Sequence, residues 1–236
     1  VVILILESFA TEFWGAANPY DGFTPFLDRL SKKGLFFKKS FANGRRSIEG
    51  LPAVLWGVPS LMSTPIANSN YQQSNWIGLG HILQEDGYHT SFFHGAAKGT
   101  MYFDSISARG GLSDYYPLER YPMVDEHFDG NWGLYDEPFL KYMVSEISRH
   151  PQPFFSLAFT ISTHQPYHVP EIYSGKFKKG TMKIHESVRY VDYAVEQFFK
   201  EAEKQPWFKN TLFIITADHT QMSESEFYNM PLGRFM

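Results

Sequence analysis

The chain has 236 residues, a formal net charge of −4, 43 % apolar residues, 17 % aromatic residues and no cysteine. That is enough apolar chain for one domain with a sizeable core, and the acidic balance argues against general nucleic-acid binding by a basic surface. The missing cysteines exclude disulfides, thiolate zinc sites and a cysteine nucleophile.

VVILIL (1–6) is short and apolar at every position, which predicts a strand buried on both faces. TPFLDRLSKKG (24–34) has helical spacing at Phe26, Leu27 and Leu30, and LFFKKSFA (35–42) reads as a strand. SIEGLPAVLWG (47–57) reads as a helix with Ser47 as its cap, since Pro52 is tolerated only near a helix start. A helix over 77–87 leads into a strand over 88–95, and YFDSISARGG forms a short helix. The Tyr-, Pro- and Asp-rich segment 114–132 reads as a long loop. The remaining elements are a helix over 134–150, a buried strand over 153–162, a long helix over 185–204 and an apolar strand over 211–218. This alternation predicts an α/β fold, three layers in α/β/α order around a mainly parallel sheet. The abrupt start inside a strand and the stop at GRFM read as one catalytic domain, 1–236, excised or truncated from a longer protein. No apolar run is long enough to span a bilayer.

Ligands of such a sheet bind outside the carboxyl ends of its strands. The buried runs end in Glu7, His94, His164 and the pair Asp218–His219, and the loop entering the 47–57 helix brings Ser47 to the same edge. Each residue alone has a plainer explanation: a hydrogen-bonded histidine, a strand terminus or a helix cap. Together, carboxylates and imidazole suit a divalent ion, Mn²⁺ or Zn²⁺ ahead of Mg²⁺, which prefers oxygen ligands. Such an ion lowers the pKa of a coordinated hydroxyl and makes serine a nucleophile. Arg45 and Arg46 oppose the helix dipole at that position. They are tolerable if a phosphoryl or sulfuryl group brings the negative charge, and they then act as anion clamps.

These residues carry a family likeness. LILES, NGRRSIEGLPA, SFFHG, TISTHQPY and ITADH occur in that order over nearly the whole chain. The set resembles the alkaline phosphatase/sulfatase superfamily, and within it the lipoteichoic acid synthase-like phosphoglycerol transferases. The resemblance implies metal ligands Glu7, Ser47, Asp218 and His219, with Ser47 also the nucleophile. It implies catalytic roles for Arg46 and His164, and substrate contacts from His94, His164, Arg45 and Asn43. It further implies a phospholipid-like donor, a glycan or glycerol-phosphate acceptor, and a membrane-anchored parent with this domain outside the cytoplasm. Members of the synthase group place a tryptophan and an arginine after the residue matching His94; here those positions read Met101, Tyr102 and Phe103. The Ser-x-Pro-x-Arg signal of formylglycine sulfatases is missing after Ser47. Transfer to water, giving an ester hydrolase, and phosphoethanolamine transfer are the alternatives.

Overall fold

The computed structural model describes residues 1–236. Five strands form one sheet: β1 (Val2–Leu6), β2 (His89–His94), β3 (Asp114–Tyr116), β4 (Phe154–Phe159) and β5 (Phe213–Ala217). Their order is β3-β2-β4-β1-β5, and every pairing is parallel. The helices are α1 (Pro25–Leu30), α2 (Ser47–Trp56), α3 (Leu79–Glu85), α4 (Phe103–Arg109), α5 (Val124–His127), α6 (Asp136–Ile147), α7 (Ile184–Ala202) and α8 (Glu226–Asn229).

Alternate residues of the central strand β1 divide the core. Val2, Leu4 and Leu6 pack with α1, α6 and α7, while Ile3 and Ile5 pack with α2 and α4. The fold is therefore the predicted three-layer α/β/α sandwich around a parallel sheet. The α7 stripe Ile184, Val188, Val191, Val195, Phe198 and Ala202 repeats at three and four residues and is buried throughout. Each large apolar side chain fully buried in this way contributes about 1.5–3 kcal/mol. Asp192, buried on the same helix, accepts the free amides of Phe26 and Leu27 at 2.9 Å and so caps α1 from across the layer.

Three local expectations are corrected. Residues 35–42 form no strand: Leu35 and Phe37 are 91 % and 73 % exposed. No ladder partner lies beside them, and a backbone bond from Ala42 to Phe235 O does not make a sheet edge. The 114–132 loop contains β3 and α5. Ser47 is the first residue of α2 rather than its cap; the cap position is the extended Arg46.

Candidate active site

Parallel pairing sets the first two ligand types side by side. β1 and β5 are neighbours in register, Leu6 beside Ala217, so Glu7 and Asp218 leave adjacent strand ends. Ser47 reaches the same edge at the start of α2. The helix can approach because position 50 is glycine: a Cβ there would lie 2.6 Å from Cβ of Asp218. Gly50→Ala is therefore expected to cost about 1–3 kcal/mol by overpacking, read as a lowered Tm. An unchanged Tm would show that α2 does not rest on Asp218.

Because Ser47 does not cap the helix, its hydroxyl is free for other work. Ser47 Oγ donates to Glu7 Oε2 at 2.9 Å and lies 3.2 Å from His219 Nε2. The Nδ1 of His219 is 2.9 Å from the carbonyl of Thr220. A carbonyl only accepts, so Nδ1 carries a proton and Nε2 is the nitrogen that faces inward. It meets Asp218 Oδ2 at 3.2 Å and Glu7 Oε1 at 3.4 Å. Asp218 Oδ1 is satisfied by the amides of Ser8 and His219 at 2.8 and 2.7 Å. Asp218 Oδ2 is buried with no hydrogen-bond partner.

Two buried carboxylates and the inward Nε2 of His219 thus converge with no Lys or Arg beside them, so that a proton on His219 is the only positive charge to balance them. Burying uncompensated charge is costly. The ligand atoms of Glu7, Asp218 and His219 lie within 4.8 Å of one another, and Oδ2 is the Asp218 oxygen left without a hydrogen bond. The chemistry of these three side chains fits a divalent cation, and the Ser47 hydroxyl lies beside them.

Protons compete for the same place. Burial works against charge on His219, but the carboxylates of Glu7 and Asp218 prevail and push its pKa up to about 9. Burial and the charge of Glu7 raise Asp218. Burial alone would raise Glu7, yet the His219 hydrogen bond and charge bring it below the usual carboxylate range. A cation must displace the proton on His219, so its affinity is expected to climb as pH rises toward 9 and to fall in acid, with protons released on binding. Calorimetric metal titration in buffers of different ionisation enthalpy measures that release. Binding that is independent of both buffer and pH would contradict it.

The loop after β4 fixes the site from behind. Thr160 Oγ1 accepts the Glu7 amide at 2.9 Å, and Thr163 Oγ1 donates to the Glu7 carbonyl. Asp136, fully buried at the start of α6, accepts the amides of Ile161 and Ser162 at 2.9 Å each. Ser8 Oγ donates to Glu7 Oε1 at 2.6 Å from a backbone with φ of +56°. Left-handed backbone at a non-glycine residue is a form of strain that gathers at functional sites.

His94 and His164 line a small cavity of about 20 Å³ with Glu7, Met101 and Trp132. His94 is buried against Phe103, its Nδ1 has no partner, and burial holds its pKa down to about 3, so the ring is neutral. His164 is half-buried, with its ring 4.5 Å from that of Trp132. Its Nδ1 is tied to the carbonyl of Gln165 at 2.9 Å, which leaves Nε2 free.

The basic loop is arranged differently from its sequence reading. Arg46 is exposed and pairs with Glu49 one turn along α2, and Glu49 also accepts the backbone amide of Arg45 at 2.8 Å. Glu49 thus offsets the unfavourable charge at the helix start from within the chain. The exposed Arg45 side chain has no partner, and Asn43 is exposed on the same loop. Neither guanidinium bonds to Ser47. The sequence reading also missed Trp132, hidden in the supposed loop, and the supporting residues Ser8, Gly50 and Asp136. A glycine early in a helix was the one available signal of close approach.

The Sulfatase family model matches residues 1–234. Lipoteichoic acid synthase 1 of Bacillus subtilis is 28 % identical over 95 % of this chain, which spans 37 % of that protein. A Vibrio parahaemolyticus protein of the alkaline phosphatase superfamily superposes with a TM-score of 0.85 at 31 % identity, over 99 % of this chain and 57 % of that one. The lipoteichoic acid synthase LtaP of Listeria monocytogenes superposes equally well, TM-score 0.85, at 15 % identity over all of this chain and 63 % of that one. The chain is thus little more than a third as long as the curated relative and somewhat over half as long as these solved chains. A family match over nearly every residue, on a fold shared with an alkaline phosphatase superfamily protein, means that the chain belongs to the Sulfatase family.

Proposed function

We propose that this domain is the catalytic unit of a metal-dependent phosphotransferase that moves a phosphoglycerol-type head group through a covalent intermediate on Ser47. The observation that carries this reading is the position of the Ser47 hydroxyl, uncommitted to helix capping and in contact with both Glu7 and His219. A bound divalent cation lowers the hydroxyl pKa and offsets charge on the transferring group. Ser47 Oγ, its proton released to solvent as the cation is bound, attacks phosphorus, and the ester bond to the lipid alcohol breaks. The leaving alkoxide takes a proton carried on Nε2 of His164, the nitrogen left unbonded when Nδ1 is tied to Gln165, and the proton of the acceptor alcohol later restores it. An acceptor alcohol then attacks the phosphoserine, losing its proton as the Oγ–P bond breaks.

The neutral ring of His94 suits hydrogen bonding to an uncharged hydroxyl of the head group. Trp132 supplies an aromatic wall to the pocket from a different segment than the one expected. Arg45, without a partner, is the better placed cation for a phosphate oxygen, together with Asn43. Arg46 would have to exchange Glu49 for substrate. The donor is a phosphatidylglycerol-like lipid, the acceptor a glycan or glycerol-phosphate chain, and the site of action the outer side of the cell membrane. No helix here is long and apolar enough to cross a membrane.

Intact-mass measurement after incubation with phosphatidylglycerol tests the reading. A glycerophosphoryl adduct should appear on the wild-type chain and not on Ser47→Ala. An ethanolamine-phosphate adduct formed only from phosphatidylethanolamine would reassign the head group. No adduct, with release of free head group, would favour direct attack by water.

A further inference from the structure

A second group of metal-ligating side chains lies at the opposite edge of the sheet. His89 opens β2, Asp114 opens β3, and His150 follows α6 just before β4. These strands are adjacent and parallel, so their starts share the amino edge, away from the carboxyl ends that carry Glu7 and Asp218. One ligand atom from each of the three residues lies within 4.8 Å of the other two. His89 Nε2 approaches Asp114 Oδ2 at 3.2 Å, and the two imidazole rings sit 4.3 Å apart.

The hydrogen bonding fixes which atoms are available. His150 Nε2 is 2.9 Å from the hydroxyl of Tyr116, and the Tyr116 ring carries the guanidinium of Arg120 at 4.0 Å. The other nitrogen, Nδ1, is buried with no hydrogen-bond partner, and His89 Nε2 is likewise buried without one. In the tautomer whose Nε2–H donates to the Tyr116 hydroxyl, His150 Nδ1 presents a lone pair. A second hydrogen bond that orients a ligating imidazole in this way is the usual support of a metal-bound histidine. Two buried nitrogens without partners are otherwise an unexplained cost.

We propose that His89, Asp114 and His150 form a second divalent-cation site of the Zn²⁺ type, independent of the catalytic centre. Two imidazoles and one carboxylate suit Zn²⁺ and not Mg²⁺. The Asp114 side chain is 41 % exposed, which leaves solvent access for a water as fourth ligand. The ion ties the starts of β2 and β3 to the turn between α6 and β4. Its role is to staple this edge.

The test uses the 236-residue chain, stripped with chelator and titrated with Zn²⁺ alone. Metal is counted per chain after desalting, and Tm is recorded with and without Zn²⁺. The wild type should hold one more Zn²⁺ per chain than His150→Gln, and His89→Gln should lose the same equivalent. Zn²⁺ should raise Tm more in the wild type than in either variant. Asp114→Asn, which replaces the one carboxylate among the three ligands, should weaken that Zn²⁺ by about tenfold or more. Co²⁺ loaded in place of Zn²⁺ should show tetrahedral absorption bands that shrink in both histidine variants. Equal zinc content and equal Tm response in the wild type and a folded His89→Gln or His150→Gln would overturn the proposal. The cluster would then be an ion pair stacked on a neutral histidine.

Discussion

Ser47→Ala should remove turnover of a phosphodiester substrate almost completely, by roughly 10⁴- to 10⁶-fold in kcat, the range seen when a nucleophile is deleted from an intact site. The fold should survive. Ser47 is only the first residue of α2, its side chain caps no backbone amide, and alanine is the best helix former. Ser47→Thr should retain measurable turnover, because the hydroxyl remains and the extra methyl is the only added volume. Its rate should still fall, since residue 47 is buried and contacts both Glu7 and His219. Initial rates on a chromogenic phosphodiester, with circular dichroism as the folding control, separate these outcomes. Full activity in the alanine variant would reduce Ser47 to a packing residue and make water the attacking group.

Glu7→Gln should be nearly as damaging through a different cause. The carboxylate of Glu7 accepts from Ser47 and from Ser8 and faces His219 Nε2. An amide of the same shape preserves packing but withdraws one of the two negative charges that a divalent cation would balance. It also places an N–H₂ where Ser47 or Ser8 needs an acceptor. Metal affinity should drop at least about 10²-fold, because even loss of an outer-shell partner costs about 10- to 100-fold, and turnover should fall with it. The variant should also lose the upward pull that Glu7 exerts on His219, so its residual metal binding should depend less on pH. An atomic-absorption titration compares the two proteins directly. Equal affinity in both would exclude Glu7 from the coordination sphere.

The layer order and the ends of the strands were readable because they rest on signals that single residues carry. VVILIL and FFSLAF are apolar with almost no alternation because β1 and β4 are covered on both faces, whereas the equally apolar FIITA forms the sheet edge, where Ile214 is 40 % exposed. Once the strands were parallel, a polar residue after each one had to reach a common edge, and Glu7, Ser47, Asp218 and His219 do meet there. Two kinds of information were not local. LFFKKSFA has strand composition, yet a strand exists only where a neighbour offers a ladder, and none lies beside residues 35–42. The charge of Arg46 at the helix start has no partner that sequence spacing alone identifies. The match was Glu49, one turn inside the same helix, and only side-chain geometry reveals it. Trp132 could not be placed because its segment has no periodicity; what brings it to His164 is the bond from its indole Nε1 to the carbonyl of Gln165 at 2.7 Å. Likewise Gly50 reads as a weak helix residue until Asp218 is seen against it.

The central claim is that four side chains from two strand ends and one helix start enclose a single divalent ion. Anomalous diffraction from crystals grown with Mn²⁺, collected at the manganese edge, tests it most directly. The account predicts a peak about 2.0–2.3 Å from the side chains of Glu7, Ser47, Asp218 and His219, with the direct contacts of Ser47 to Glu7 and His219 replaced by bonds to the ion. No peak there, with Ser47 Oγ still hydrogen-bonded to Glu7 Oε2, would contradict it.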